Sequence, residues 1–386
     1  MTRNKIKIVH LITSFWANHG PSSALLTQIR SHDPGEFAFS IWSLYAPPPA
    51  QDPRDLLLRN GIEHRVLPMS ASFLDVRVLT PLVRLLRRER PDILHCHLLR
   101  ANLYGRFAGR LAGVAKIVNT IHGVDEYMVR GDFTSRSLRL AERLSAPLVS
   151  RYVAVSENAR QAVVERLKIP PGRVSTILNA LDLDPFRQPE AGRRALRAEL
   201  GLSPDAVVIG SVGRLAPLKN LAFLIEQMKE LAVSFPQAEL VIIGEGPERP
   251  ALENLIAALN LGDKVRLPGF RADIPRMLPA LDLFAFPSLS EGLSIALLEA
   301  MAAGLPCVVM DVGGNGEAVA HGHTGYVVPY GDSSAFASAL SHLLKDASLR
   351  KKLGTAGKNR AFTLFNPQRL ATQYEELYFS LLNRRP

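Results

Sequence analysis

Short apolar runs alternate along the whole chain with stretches that have helical spacing. The first runs, residues 6–12 and 39–44, predict strands, and residues 25–30 between them begin a helix. Residues 77–90 have apolar positions three or four apart with arginines on the other side, which is typical of a helix. Further strands are predicted at residues 93–95, 116–120, 152–155 and 174–178. This repeated order of strand and helix predicts a parallel sheet covered by helices on both faces.

The pattern restarts after a polar, charged stretch near residues 181–200. New strands are predicted at residues 207–211, 240–243, 265–267, 283–285 and 306–309. We therefore predict an α/β protein with two Rossmann-like, doubly wound domains, residues 1–183 and 184–365. A last helix within residues 366–386 is expected to pack back on the first domain. Ligands bind at the carboxyl ends of such strands, so we expect the site in a cleft between the domains.

Composition narrows the cellular setting. Among 386 residues only Cys96 and Cys307 are cysteines, which excludes a disulfide framework and indicates a reducing, cytoplasmic environment. The apolar run at residues 6–15 is interrupted by Lys7 and His10 and has no small-residue cleavage site. It is too short and too polar to span a bilayer, so we interpret it as a buried first strand.

The net charge is unevenly distributed. The formal charge is +10, and residues 1–183 carry all of it, with 25 Lys+Arg against 15 Asp+Glu. Such an excess favours a polyanionic partner: nucleic acid, a phosphorylated ligand or an anionic membrane. No helix-turn-helix, zinc-finger or RNA-binding pattern occurs, so nucleic acid is not expected. The arginine clusters indicate either a solvated surface or a basic face toward acidic lipid head groups; they comprise Arg84, Arg87, Arg88, Arg90, Arg100, Arg106 and Arg110.

The strongest chemical pattern contains two glutamates with seven residues between them, Glu291 and Glu299. Glu291 follows a predicted strand and a Pro-Ser turn, and residues 293–303 are predicted to form a helix. The backbone amides of Gly292, Leu293 and Ser294 would then lie at the positive end of that helix. One carboxylate with amide donors, and a second carboxylate two turns on, suits a ligand with hydroxyls at two places and phosphates between them.

A second pattern places two cations after the strand at residues 207–211. Gly213 is followed by Arg214, and Lys219 stands at the start of the next predicted helix. A forked guanidinium and a compact ammonium held together suit a diphosphate. The segment is not a P-loop, because the GxxxxGK[ST] pattern does not occur there.

Together these two segments resemble the family-4 glycosyltransferases, retaining sugar transferases of the GT-B fold. The resemblance extends over essentially the whole chain and is more specific in the second half. Other segments that carry it are Asp92-Ile-Leu-His-Cys-His97, Thr120-Ile-His122-Gly123, Val155-Ser-Glu157, Ile177-Leu-Asn-Ala-Leu-Asp182, Gly244-Glu-Gly246-Pro-Glu248, Val265-Arg-Leu-Pro-Gly269-Phe, Asp311-Val-Gly-Gly-Asn-Gly-Glu317 and Gly325-Tyr-Val-Val-Pro329.

The resemblance implies a role for each matching residue. Glu291 would contact the transferred sugar and stabilise positive charge at its anomeric carbon. The amides of Gly292, Leu293 and Ser294 would hold the sugar hydroxyls and the distal phosphate, and Glu299 would accept hydrogen bonds from the ribose. Arg214 and Lys219 would neutralise the departing diphosphate, and His122 would lie near the sugar and the reacting bond. The glycines expected around the donor are Gly20, Gly213, Gly244 and Gly246.

The chain departs from the family's pattern in two loops. The family usually has a Gly-Gly pair followed by a small residue and Glu where this chain has His19-Gly20-Pro21. Pro21 removes one backbone N–H, so one contact to a phosphate or to the acceptor is expected to differ. In the linker, Asn179-Ala180 replaces the usual Asn-Gly.

No metal site and no cofactor are expected. The Asp182-Leu-Asp184 segment falls at the domain link, where a hinge or cap is the preferred interpretation. His95 and His97 share one face of a strand without obvious partners, and we interpret them as core residues. Cationic side chains and a helix dipole can replace a metal in stabilising the leaving diphosphate.

The predicted function is retaining, metal-independent transfer of a sugar from a nucleoside-diphosphate sugar to an acceptor hydroxyl. A UDP-sugar is favoured and a GDP-sugar comes next. The acceptor is expected to be a lipid-linked, cell-envelope or exopolysaccharide saccharide, with the protein peripheral on the cytoplasmic face of the inner membrane. A sugar-nucleotide epimerase of the same fold and a non-catalytic nucleotide-sugar-binding assembly protein remain alternatives. A phosphorylase with pyridoxal phosphate would be far longer.

Overall fold

The computed structural model describes residues 5–16, 19–67, 69–70, 75–123, 133–187 and 192–384. The chain divides into two compact units: Met1–Ala180 with Pro367–Pro386, and Leu181–Asn366. Part of the charged stretch between the predicted domains, residues 188–191, lies outside the described residues.

The first unit is built on a parallel seven-stranded sheet. Its strands lie in the order β3-β2-β1-β4-β5-β6-β7. They are β1 (Ile6–Ser14), β2 (Phe37–Tyr45), β3 (Glu63–Val66), β4 (Ile93–His97), β5 (Lys116–Ile121), β6 (Arg151–Ala154) and β7 (Val174–Thr176). Its helices are α1 (Gly20–Arg30), α2 (Arg54–Arg59), α3 (Leu79–Glu89), α4 (Leu99–Ala112), α5 (Phe133–Ser145), α6 (Glu157–Arg166) and α15 (Pro367–Leu382).

Helices bury both faces of this sheet. On one face, apolar side chains of α3 and α4 pack against alternate residues of β1 and β4, including Leu11 and Cys96. The backbone of α4 comes so close that a Cβ on Gly105 would lie 2.3 Å from the Cys96 sulfur. This burial raises the pKa of the Cys96 thiol to about 12. The opposite face is covered by α15, whose Tyr374 and Tyr378 join the same apolar cluster as Ile8.

The second unit contains a parallel six-stranded sheet with the order β10-β9-β8-β11-β12-β13. Its strands are β8 (Val207–Val212), β9 (Ala238–Ile243), β10 (Val265–Gly269), β11 (Leu283–Phe286), β12 (Cys307–Met310) and β13 (Gly325–Val328). Its helices are α7 (Arg193–Glu199), α8 (Leu221–Ser234), α9 (Arg249–Ala258), α10 (Ile274–Met277), α11 (Ile295–Ala302), α12 (Asn315–Ala318), α13 (Ser333–Lys345) and α14 (Ala347–Leu364).

In both sheets the first three strands of the unit are added side by side in one direction. The next strand along the chain then lies on the other side of the first strand, and the remaining strands continue in that opposite direction. This reversal occurs between β1 and β4 in the first unit and between β8 and β11 in the second. Loops that leave such neighbouring strands in opposite directions open a crevice at their carboxyl ends, where α/β proteins bind ligands. The predicted α/β class with two doubly wound sheets is therefore confirmed.

The structure adds two strands that the hydrophobic pattern did not predict, β3 and β13. Among the residues that the structure describes, no helix combines the length and the apolar character needed to cross a bilayer.

Candidate active site

The loops after β8 and β11 bring the two halves of the predicted donor site together. The ammonium of Lys219 forms an ion pair and hydrogen bond with a carboxylate oxygen of Glu291, although the two residues are far apart in the sequence. The amide of Leu289 donates to the carbonyl of Leu218 at 2.8 Å, which ties one loop to the other. The pair thus lies at the point where the strand order reverses, and its side chains are mostly buried.

Two further contacts define the charge of this site. The Lys219 ammonium lies 4.8 Å from the centre of the Phe286 ring, so it also has a cation–π contact. Arg214 comes two residues after β8, is exposed, and makes no hydrogen bond or ion pair with the described residues. Within the described residues, the site therefore has one cation paired with a carboxylate and one cation free to meet an anionic ligand.

Glycines allow the loops around this pair to pack closely. Gly313 has φ 53°, and a Cβ there would lie 1.8 Å from the carbonyl oxygen of Glu291. The amide of Gly314 donates to the carbonyl of Gly292 at 2.6 Å. A Cβ on Gly244 would likewise lie 1.9 Å from the carbonyl oxygen of Gly213. Only glycine fits at positions 313 and 244 without a shift of the backbone that carries the site.

The helix after Glu291 begins later than predicted. The first residue of α11 is Ile295, and Ser294 is its N-cap residue, without a capping hydrogen bond from the side chain. The prediction that the helix starts at Leu293 is therefore wrong. Gly292, Leu293 and Ser294 form the turn that leads into the helix, and Gly292 and Leu293 are buried there. Ser294 joins the helical hydrogen-bond ladder only through its carbonyl, which accepts from the amide of Leu298 at 3.2 Å. Gly313 and Gly314 pack against the backbone of Glu291 and Gly292 just before it.

Glu299 lies in the second turn of α11 and is largely buried. Burial raises the pKa of its carboxyl group to about 7, because the charged form loses its hydration. Its side chain has no hydrogen bond or ion pair with the described part of the chain. A buried carboxyl without a partner is suited to accept hydrogen bonds from ligand hydroxyls.

The predicted residues of the first unit lie at the carboxyl ends of β1 and β5. His122 follows directly after β5, and its Nε2 lies 3.2 Å from Nδ1 of His97. Gly20 is the first residue of α1, with open space around it. Pro21 stands in the first turn of this helix, where a missing N–H costs no helical hydrogen bond.

The prediction that His95 and His97 lack partners is wrong. His97 Nε2 lies 3.0 Å from His10 Nδ1, and both nitrogens of His95 are hydrogen-bonded, to Tyr378 and Thr120 at 2.7 Å each. Pairing of β1 with β4 places His10 directly opposite His95. Nitrogens of His10, His95 and His97 lie within 4.8 Å of one another, a spacing that could hold a metal ion. Every one of these nitrogens except His10 Nε2 is already in a hydrogen bond.

The arginine clusters separate into two kinds. Arg106 is fully buried and forms an ion pair of 2.6 Å with Glu142 of α5, so including it in an exposed basic face was wrong. Arg110 donates to the backbone carbonyls of Leu148, Val114 and Ala115. The α3 arginines Arg84, Arg87 and Arg88 are exposed, as the helical pattern predicts.

A cavity of about 670 Å³ lies elsewhere in the first unit, beside α2 and β3. Its walls include Leu57, Ile62 and Val66, and none of the predicted site residues lines it. The chemistry of the candidate site is therefore not organised around this cavity.

Sequence reasoning missed three residues that shape the site: His10, Phe286 and Gly313. His10 is a histidine inside an otherwise apolar strand, which was a usable signal. Gly313 stands in a segment that carries the family resemblance, but no role was assigned to it, and Phe286 has no signal of its own. Their roles follow from loop packing and strand pairing.

Comparison with known families divides the chain in the same place as the two sheets. The family described as "Glycosyltransferase Family 4" matches residues 39–185, and "Glycosyl transferases group 1" matches residues 192–360. The chain is 31% identical over 312 residues to the UDP-Gal:alpha-D-GlcNAc-diphosphoundecaprenol alpha-1,3-galactosyltransferase of Escherichia coli, covering 80% of each chain. It is 26% identical over 332 residues to the capsular polysaccharide biosynthesis glycosyltransferase CapM of Staphylococcus aureus, covering 84% of this chain and 86% of that one.

Solved structures with low sequence identity share the fold. HepE of Anabaena, solved with UDP and glucose, superposes with a TM-score of 0.84 at 22% identity, over 97% of this chain and all of that one. Sucrose-phosphate synthase of Thermosynechococcus elongatus gives a TM-score of 0.78 at 20% identity, over 98% and 99% of the two chains. With this fold and these relatives, the chain belongs to the family-4 glycosyltransferases and is a sugar-transferring enzyme of the GT-B fold.

Proposed function

We propose that the protein is a retaining, metal-independent glycosyltransferase that transfers a sugar from a UDP-sugar to a hydroxyl of a lipid-linked or cell-envelope saccharide. The observation that carries the proposal is the Lys219–Glu291 pair beside the free Arg214, at the strand reversal of the second unit. A diphosphate between two cations and a sugar against a carboxylate match that arrangement of charge.

The hard step is departure of the diphosphate. The bond between the anomeric carbon and the β-phosphate oxygen breaks, and its electron pair stays on the phosphate. Arg214 and Lys219 supply positive charge at that oxygen, and preorganised charge of this kind lowers the barrier most where water is excluded. The start of α11 adds the positive end of a helix dipole. With these groups the reaction needs no metal ion to stabilise the leaving group.

The anomeric configuration is retained when the acceptor attacks the anomeric carbon from the same face of the sugar that the diphosphate leaves. The acceptor oxygen forms the new bond to the anomeric carbon, and its proton passes to the departing phosphate oxygen. Glu291 stabilises the positive charge that develops on the sugar, and its ion pair with Lys219 holds its carboxylate in place. The products are the glycoside and the nucleoside diphosphate.

Relatives favour a UDP-sugar as the donor. The Escherichia coli relative is named for UDP-Gal, and HepE was solved with UDP and with glucose. A GDP-sugar is the second choice. A thermal-shift panel of UDP-, GDP- and ADP-sugars identifies the donor, since a ligand bound only by the folded state raises its apparent stability by mass action.

Surface features of the first unit support an acceptor at a membrane. The exposed arginines of α3 lie near α4, because Arg87 donates to the carbonyl of Leu111 at 2.9 Å. Phe107 and Leu111 are exposed on successive turns of α4, as are Leu140 and Leu144 on α5. Exposed apolar side chains next to arginines suit an anionic lipid surface. The Escherichia coli relative acts on a diphosphoundecaprenol-linked sugar, which is an acceptor of this kind.

Substitution of the ion pair tests the proposed site. We expect Glu291→Ala and Lys219→Ala each to lower kcat by about 100- to 1,000-fold, the cost of removing one preorganised charge. Lys229→Ala, which removes an exposed lysine on α8, is the matched control and keeps full activity. Circular dichroism and the melting temperature verify that the variants are folded. Near-normal turnover by either pair variant would contradict the assignment.

Product analysis separates the alternatives. An epimerase converts the sugar nucleotide without an acceptor, and a binding protein releases no nucleoside diphosphate. Release of UDP that depends on acceptor, with a new α-glycosidic bond from an α-linked donor, supports a retaining transferase.

A further inference from the structure

We propose that His10 and His97 are positioning residues that determine which ring nitrogen of His122 carries its proton. The inference rests on the proposed function and on the place near the transferred sugar that the family resemblance implies for His122. The chain of histidines that carries it can be tested independently of activity.

Three imidazoles form a continuous hydrogen-bonded chain from the interior of the first unit to the end of β5. His10 Nδ1 lies 3.0 Å from His97 Nε2, and His97 Nδ1 lies 3.2 Å from His122 Nε2. The spacing is set by β1, β4 and β5, which are neighbours in the sheet. His10 and His97 are fully buried, so no solvent intervenes to break the chain.

Each ring in this chain carries one proton. Burial lowers the pKa of His10 and of His122 to about 3 and puts the pKa of His97 well below its usual range. A neutral imidazole has one N–H and one lone pair. Each hydrogen bond between two rings needs an N–H from one ring and a lone pair from the other. If His10 donates to His97, then His97 must donate to His122, and if His10 accepts, the donors are reversed throughout.

The surroundings of His10, at the buried end of the histidine chain, determine which ring donates in each hydrogen bond. His10 Nε2 has no hydrogen-bond partner among the described residues, so it holds either an unpaired N–H or an unpaired lone pair. The same core already contains an unpaired lone pair: His32 Nδ1 donates to the carbonyl of Gln28 at 2.6 Å, and His32 Nε2 is buried without a partner. Unpaired buried N–H groups are the rarer defect in proteins.

The hydrogen bonds of the histidine chain are therefore donated outward, from the buried ring of His10 toward His122. His10 donates from Nδ1 to His97 Nε2, His97 donates from Nδ1 to His122 Nε2, and His122 carries its proton on Nδ1. His122 thus offers an N–H to an oxygen of a bound ligand, and it acts as a hydrogen-bond donor rather than as a base. A partner that fixes the tautomer of an active-site histidine is a known means of tuning its chemistry.

His95 provides an internal contrast, because its tautomer is determined by other groups. Gln28 Nε2 donates to the Tyr378 hydroxyl at 2.8 Å, which leaves that hydroxyl its own proton to donate to His95 Nδ1. With this direction, His95 carries its proton on Nε2 and donates from there to Thr120 Oγ1. We expect His95 to be the opposite tautomer from the three histidines of the chain.

Long-range proton–nitrogen NMR of histidine-labelled full-length protein tests the inference, since it distinguishes the two tautomers of each ring. We expect His10, His97 and His122 to be protonated at Nδ1 and His95 at Nε2. In His10→Phe, which keeps an aromatic ring against Phe39 but removes the first donor, His122 should lose its single tautomer. His32→Phe is the matched control: it removes a buried histidine of the same core that is outside the chain.

Kinetics provide the second readout. We expect His10→Phe to lower kcat by about 10- to 100-fold, the usual cost of losing a partner behind an active-site group. His10→Asn restores an amide N–H near the position of Nδ1 and should recover most of the activity. His32→Phe should leave kcat unchanged.

Several results would overturn the inference. They are a His122 protonated at Nε2 in the wild type, a His122 tautomer that His10→Phe does not change, or a stoichiometric metal ion on His10, His95 and His97. If no sugar nucleotide is turned over, the proposed function fails while the NMR result still decides the tautomers.

Discussion

Glu299 is the most perturbed carboxyl group of the candidate site. Burial without a charged partner raises its pKa to about 7, so near neutral pH it is half protonated in the free protein. Hydrogen bonds from ribose hydroxyls favour the carboxylate and would lower that pKa in the complex. With the ribose contact that the family resemblance implies for Glu299, we expect donor binding at neutral pH to release a proton.

This coupling predicts a pH dependence of donor affinity. The carboxylate form of Glu299 accepts hydrogen bonds from hydroxyls better than the protonated form does, so we expect donor affinity to be weaker below pH 7 and to rise as the pH passes through 7. We expect the Kd for the donor to fall about tenfold between pH 6 and pH 8, measured by calorimetry. Glu299→Gln should bind more weakly with little pH dependence. An unchanged pH profile in that variant would exclude Glu299 as the titrating group.

The roles of single residues were predictable where the residues belong to a short contiguous motif. Glu291 and Lys219 stand in short motifs, and the structure brings these two together in one ion pair. His10 was not predictable as a partner of His97, because only the pairing of β1 with β4 makes them neighbours. Arg106 was misjudged because sequence cannot show that Glu142 reaches it inside the fold.

Among the elements, the loops at the carboxyl ends of β8, β9, β11 and β12 do most to shape the site. They support one another through backbone contacts, so their geometry depends on glycines that are distant in sequence. Gly313, in the loop after β12, packs directly on the backbone of Glu291.

Gly313→Ala tests this dependence. The added Cβ would meet the Glu291 carbonyl at 1.8 Å and sit at a φ of 53°, so the loop that carries Glu291 must shift. We expect kcat/KM to fall by about 100-fold, since a displacement of about 1 Å at a reacting group has that effect. Gly262→Ala, where a Cβ would meet nothing within 4 Å, is the control and should remain fully active. Equal activity of both variants would argue against a loop-held Glu291.

Strands were predicted best where they are fully buried. All the predicted strands exist, with ends that differ by a few residues. The pattern missed β3, whose residues Glu63-His-Arg-Val66 form a polar edge strand, and edge strands need no apolar run. It also placed the start of α11 too early, because apolar residues 293 and 295 continue through a turn that only loop packing defines.

For the whole molecule, the uneven charge now has a more specific origin. Part of the arginine excess of the first unit stabilises the fold, through the Arg106–Glu142 pair and the carbonyls that Arg110 caps. The exposed remainder on α3 is available to an anionic partner. Charge counts along the sequence could not separate these two groups, because burial decides between them.

Replacing Arg84, Arg87 and Arg88 together with Gln tests the membrane hypothesis. Each basic side chain near an anionic surface contributes about 1 kcal/mol, so sedimentation with anionic liposomes should fall by about 100-fold or more in apparent affinity. Wild-type binding should also weaken as salt is raised. Replacing Lys351 and Lys352, exposed on α14 of the second unit, with Gln is the control. If the triple variant binds the liposomes as well as the wild type does, the membrane hypothesis is contradicted and these arginines are solvated surface residues.

The position of α15 has a consequence for biosynthesis. This helix completes the first unit, yet residues 181–366 are translated between it and the rest of that unit. At about 5–20 residues per second, the ribosome needs roughly ten to forty seconds to cover that distance. Throughout that time the sheet face with His95 has no Tyr378 to cover it, whereas the second unit, being contiguous, can finish first. The nascent chain therefore passes through a stage in which the second unit is folded and the first unit still lacks α15. At this stage the uncovered core of the first unit is exposed, and chaperones would bind it.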